Sequence, residues 1–228
     1  MQNAFPALSD TKHDFHWART EDGIGYVLFY KLEDAQMPEA FDGVLDGLGD
    51  CWALVVDLRF NGGGNEDLAQ AVAARFVDRE RVYSTNQYRN GTKHDNLGPR
   101  LERKIAPGKA WRFESPVVCL QGQVTFSSAE SMALMFAQCP QVTTMGDRTG
   151  GSSGNPRQIE LEGGIKVNLP RWIDMDPEGK SIEVVGVAPK VKIDTQPAEF
   201  TAVKDPVLDA ALESLRKIAK KDRKPGKR

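Results

Sequence analysis

The chain has 228 residues, is 40% hydrophobic and carries a formal net charge of −2, so it can bury one substantial core. No stretch reaches the apolar length of a bilayer span, and the start, MQNAFPALSDTKHDFHW, lacks the basic-then-apolar order of a signal peptide, which makes a cytoplasmic location the default. Eight basic residues crowd positions 216–228 against Asp222 alone, but with no aromatics to stack on bases and no apolar face beyond Ile218 they read as a solvated tail, not a nucleic-acid or lipid contact.

In chain order, residues 23–32 (GIGYVLFYKL) read as a buried strand, and Phe41, Val44, Leu45 and Leu48 give residues 38–48 helical spacing. The continuous apolar run 52–58 (WALVVDL) fits a strand covered on both faces, as in a parallel sheet. A glycine loop, Asn61-Gly62-Gly63-Gly64, hands over to helical periodicity across residues 66–76. Residues 81–88 read as a strand and 90–109, rich in glycine, proline and charge, as an exposed mobile loop.

The run 116–120 (PVVCL) is another buried strand, 127–137 a helix and 142–145 a further strand. Strand, helix, strand in this order requires crossover connections and a mainly parallel sheet. Residues 157–161 and 165–172 flank Glu162-Gly163-Gly164 as a hairpin, 182–187 alternates like a last strand, and 205–218 closes the chain as an amphipathic helix. Residues 1–22 are read as an N-terminal segment, 23–215 as the main α/β domain and 216–228 as a basic disordered tail. Cys51, Cys119 and Cys139 lie in or beside apolar runs with no CxxC pair or histidine spacing for zinc, so buried free thiols and no metal are expected.

One serine stands where chemistry is feasible. Ser127 falls between an apolar strand and a helix, whose N-terminus directs free N–H groups and positive dipole at whatever sits there. The same residues, Ser127-Ser128-Ala129-Glu130, spell a capping box, so spacing alone reads the serine as a cap. Three consecutive glycines exceed the needs of one turn and would let backbone amides approach a ligand, Gly62 or Gly63 joining the amide of Ser128 around an oxyanion.

The order DLRFNGGG, TFSSAE, GDRTGG and a final segment from Pro177-Glu178-Gly179 to Val187-Ala188-Pro189 resembles the family of C-terminal processing (tail-specific) and tricorn-core serine proteases. The resemblance implies a Clp protease/crotonase-like α/β fold, a mainly parallel sheet with flanking helices, and no cofactor. It places the nucleophile at Ser127 and the oxyanion donors at Ser128 and the Gly62–Gly63 region.

The general base is where this sequence departs. Tail-specific members carry a lysine three residues after the motif threonine, where Ser152 stands here, and Arg148 and Lys166 are poor substitutes, the former because guanidinium stays protonated at any useful pH. Tricorn-like members pair serine with a histidine supported by a glutamate three residues before the glycine of a GV-x-P motif, which is Glu183 before Gly186. The histidines are His13, His16 and His94; His16, His94 or a group outside this chain are the candidates for the base, which is left unassigned. The implied activity is a serine endopeptidase acting on peptides or unfolded protein, possible as a homo-oligomer. A non-catalytic peptide-binding or apolar-ligand domain of the same fold, and an acyl-CoA enzyme of the crotonase branch, stand as alternatives.

Overall fold

The computed structural model describes residues 8–222 apart from His94 and Ala202. A seven-stranded sheet forms the centre, from β1 (Ser9–Asp10), β2 (Phe15–Arg19), β3 (Ile24–Phe29), β4 (Ala53–Asp57), β7 (Val117–Gln121), β8 (Val142–Gly146) and β12 (Val191–Lys192) in that spatial order. From β3 to β12 every neighbour runs parallel, while β1 and β2 add an antiparallel edge. A three-stranded antiparallel sheet, β5 (Arg81–Tyr88) between β6 (Leu101–Ile105) and β11 (Trp172–Met175), stands apart. A third, β9 (Arg157–Glu160) with β10 (Lys166–Leu169), is a hairpin.

Alternation along β4 explains the layering, since side chains point to opposite faces in turn. Leu54 and Val56 pack with residues of α1 (Met37–Gly47), α2 (Glu66–Ala73) and α3 (Ser128–Ala137) in one core. Ala53 and Val55 face the other way, into a second core closed by Val207, Leu208, Ala211, Leu212 and Leu215 of α4 (Pro206–Asp222). The buried run of β4 is therefore the parallel-sheet strand that its apolar sequence predicts.

A buried ion network pins the last helix to this sheet. Arg59, just past β4, donates to Asp57 at 2.6 Å and to Asp205 at 2.8 Å, and Tyr26 donates its hydroxyl to Asp57 at 2.8 Å. Burial opposes the Arg59 charge, yet the two carboxylates outweigh it and hold the guanidinium above its ordinary pKa. Asp205 also caps α4, accepting the Leu208 amide at 3.0 Å.

Four readings of the sequence are corrected here. Residues 8–22, set apart as an N-terminal segment, carry two strands of the central sheet. The stretch read as a mobile loop contains β6, paired with β5 from Arg81↔Ile105 to Asn86↔Leu101. Residues 182–187 form no strand: Val184 has φ 64°, and the Val185 and Gly186 amides both turn back to the Ile182 carbonyl. The basic tail is helical as far as Asp222, with Arg216 paired to Asp22 at 2.7 Å. All three cysteines are buried and free.

Candidate active site

Ser127 occupies the turn between β7 and α3 with φ 55° and ψ −126°, a backbone conformation that L-residues avoid. Ser127 and Glu130 keep the capping-box arrangement that the sequence spells, so the serine stands at the N-cap of α3 with its turn tied to the first helical residues. The strained turn is held from outside. The Phe126 amide donates to the Asn61 carbonyl at 3.0 Å, and the Ser127 amide donates to the Ser152 carbonyl at 3.1 Å and to Glu130 Oε2 at 3.1 Å.

Glu130 is the hub. It is completely buried, and its Oε1 accepts from Thr149 Oγ1 (2.5 Å) and the Gly151 amide (2.7 Å). Its Oε2 adds the Ser152 amide (2.9 Å) to that of Ser127. Four donors in full burial satisfy the carboxylate and lock the serine turn to the 149–152 loop. The sequence offers Glu130 only as a capping glutamate; its wider role depends on a loop some twenty residues downstream.

The glycine loop lies directly beneath. Gly63 has φ 100°, and a methyl group built on it would sit 2.7 Å from the Phe126 carbonyl oxygen and 2.9 Å from Ser127 Cβ. Its amide, one of the expected oxyanion donors, is already given to Asn61 Oδ1 at 2.9 Å. Gly62 is exposed and is not among the residues that line the cleft beside Ser127. Among the described residues, the amides of Gly64 and Ser128 are the ones beside Ser127 that donate to no protein acceptor. The Ser128 hydroxyl donates to the Gly64 carbonyl at 2.7 Å, tying the two together.

These residues open onto a cleft of about 370 Å³ lined by Ser127, Ser128, Gly64, Glu66, Asn155 and Trp172 among others. Glu183 stands one residue back. It accepts the Ser153 amide at 3.2 Å, while the Ser153 hydroxyl donates to the Ser127 carbonyl at 3.4 Å. Burial raises the Glu183 carboxyl above its ordinary range; Glu130 and Asp174 push the same way against the one hydrogen bond from Ser153.

The histidines do not join them. His13 is paired with Asp34, and His16 stacks on Tyr30 with ring centroids 5.0 Å apart; neither lines the cleft. His94 lies outside the described residues. Sequence reasoning missed Glu66 and Arg103. Arg103 on β6 reaches Glu66, donates to Asp174 at 3.1 Å, and lies 5.1 Å over the Trp172 ring.

A mainly parallel α/β sheet with a strained turn at a helix N-terminus beside unpaired amides can present donors to a ligand in the cleft. The chain belongs to Peptidase family S41, whose sequence profile matches residues 23–193. It is 28% identical over 176 residues to the carboxy-terminal processing protease CtpA of Bacillus subtilis (strain 168), covering 75% of this chain and 35% of that relative. To the Tricorn protease of Thermoplasma volcanium it is 27% identical over 165 residues, 70% of this chain and 14% of that one. Among solved structures, a candidate peptidase from Parabacteroides merdae ATCC 43184 superimposes with a TM-score of 0.86 at 26% identity, over 96% of this chain and 69% of that one. The chain thus spans about a third of CtpA and a seventh of Tricorn. Among the described residues no helix is long and apolar enough to cross a membrane.

Proposed function

We propose that this chain is a serine-type peptidase domain that hydrolyses peptide bonds through an acyl-enzyme on Ser127. The observation that carries the reading is the Ser127 backbone, held at φ 55° at the N-terminus of α3 with its turn braced by Glu130. Strain of this kind costs about 1–3 kcal/mol and persists where surrounding structure imposes it, which is characteristic of reacting residues.

In this mechanism Ser127 Oγ bonds to the scissile carbonyl carbon, and its proton passes to a base. The carbonyl oxygen, now anionic, is received by the Gly64 and Ser128 amides at the positive end of α3, Gly64 replacing the Gly62 or Gly63 donor expected from sequence. The C–N bond breaks as the base protonates the leaving amine, and water then cleaves the ester. Glu183 keeps its place in the tricorn-like register, where it would orient an imidazole, and through Ser153 it steadies the carbonyl side of Ser127. Neither histidine nor lysine lines the cleft among the described residues, so the base is left unassigned between His94, which lies outside them, and a group from a further segment, another domain or a second copy.

That same observation favours a second reading, a domain that holds peptides without cutting them. A fluorophosphonate probe separates the two: it labels the wild-type protein and not Ser127→Ala if the first holds. A folded wild-type protein that stays unlabelled while retaining peptides would replace hydrolysis with binding. Membership of the peptidase family removes the acyl-CoA alternative from consideration.

A further inference from the structure

Among the described residues, the cleft beside Ser127 carries a single charged lining residue, Glu66, the first residue of α2. Its carboxylate is fixed in place: one oxygen accepts the Tyr83 hydroxyl, itself bonded to Gln70 at 3.1 Å, and the other meets the Arg103 guanidinium. Arg103 does not neutralise it alone, because its Nη1 also bonds both oxygens of the completely buried Asp174 at 3.1 Å. One cation therefore serves two carboxylates. The residual negative charge faces solvent at Glu66, whose side chain is 21% exposed against 0% for Asp174.

The surroundings reinforce that sign. Glu130 and Glu183 lie one hydrogen bond behind the lining residues Ser127 and Ser153, and Glu183 feels the negative charge of both Glu130 and Asp174. No lysine, arginine or histidine among the described residues lines the cleft. Trp172 and Pro156 supply apolar surface beside the polar Asn65, Ser128 and Asn155. A concave site of about 370 Å³ with an apolar flank and a fixed anion suits a long side chain with methylenes and a terminal positive charge. An acidic side chain entering the same space would meet like charge and lose its water.

We infer that Glu66 makes this cleft select peptides that place a lysine or arginine side chain beside Ser127. The inference rests on the reading of the cleft as a peptide site, and its test does not depend on turnover. In a Ser127→Ala background, fluorescein-labelled peptides of one extended sequence, with lysine, norleucine or glutamate moved through each position in turn, are titrated at low salt and followed by anisotropy. At one position lysine binds about five- to tenfold tighter than norleucine, and glutamate binds weakest. Adding Glu66→Gln erases the lysine preference, whereas Glu162→Gln in the exposed hairpin turn removes the same net charge and leaves it.

Equal affinities for lysine and norleucine peptides at every position, no peptide binding at all, or a lysine preference that survives Glu66→Gln overturns the inference. The unmodified Ser127→Ala protein already decides the first two outcomes should Glu66→Gln fail to fold. Probe labelling of the wild-type serine is read separately. Labelling without a lysine preference overturns only the selectivity, and a lysine preference without labelling keeps the selectivity and removes the hydrolysis.

Discussion

Gly63 lies so close under Ser127 that a methyl group on the glycine would come within 2.9 Å of the serine Cβ. The glycine loop and the serine turn are therefore one packed unit, and replacing either glycine or serine tests different things at different positions.

Gly63→Val is expected to fail as a fold variant. Its side chain would meet the Phe126 carbonyl oxygen at 2.7 Å on a backbone with φ 100°, so a loss of more than about 3 kcal/mol in urea unfolding is expected. Gly62→Ala meets nothing within 4 Å and should stay within about 0.5 kcal/mol of wild type, with probe labelling retained. Loss of labelling in a stable Gly62→Ala protein would return Gly62 to the oxyanion site.

Ser127→Gly should lose labelling and gain stability. Glycine adopts φ 55° without a Cβ clash, so the released strain, less the entropy of a more flexible unfolded chain, leaves a gain of about 1 kcal/mol. Ser127→Ala, which keeps the Cβ, should lose labelling without that gain. A Ser127→Gly protein less stable than Ser127→Ala in urea would show that the turn is not strained.

Glu130→Gln is expected to cost about 2–4 kcal/mol, because one acceptor oxygen and an NH2 group would face four donors in a buried site. The 149–152 loop should loosen with it. Hydrogen exchange at the Gly151 and Ser152 amides measures this, and unchanged protection there would remove Glu130 from its role as the brace.

The pH dependence at Glu183 has a sign that can be worked out. Its carboxyl binds its proton more tightly in the folded state, so its contribution to stability is fully present below the unfolded pKa of about 4.3 and is lost as pH rises through the higher folded value. Glu183→Gln keeps an acceptor for the Ser153 amide, so its melting temperature relative to wild type should climb between about pH 4 and pH 7. A constant difference across that range would mean the carboxyl is not raised by its burial.

How much of this was legible in the sequence follows from how local each cue was. The continuous run of β4 and the periodicities of α1, α2 and α4 survive because burial on one or both faces writes itself into consecutive residues. LERKI, the strand β6, was hidden because it is mostly exposed and charged, and its partner lies across an intervening loop. IEVVGV misled in the opposite direction: Val184 is 93% exposed and Val185 44%, so β-branched residues sit here in a turn where no sheet covers them. Ser127 was legible as a position but not as a conformation, since no propensity marks φ 55° on a serine. Glu66 and Arg103 gave no cue at all, as their meaning arises from β5, β6, β11 and α2 meeting in space.

The clasp between Arg59 and Asp205 joins residues 146 positions apart, and this dictates a timetable for a chain made from its N-terminus. While the first two hundred residues leave the ribosome, the guanidinium at the mouth of the glycine loop has only half of its counter-charge, and the second core lacks α4. The loop that meets Ser127 is thus expected to settle among the final events of synthesis. Nascent chains arrested before Asp205 should be nicked by trypsin after Arg59, and chains arrested beyond α4 should resist. A domain built in this order is expected to carry no finished cleft while it is still tethered to the ribosome.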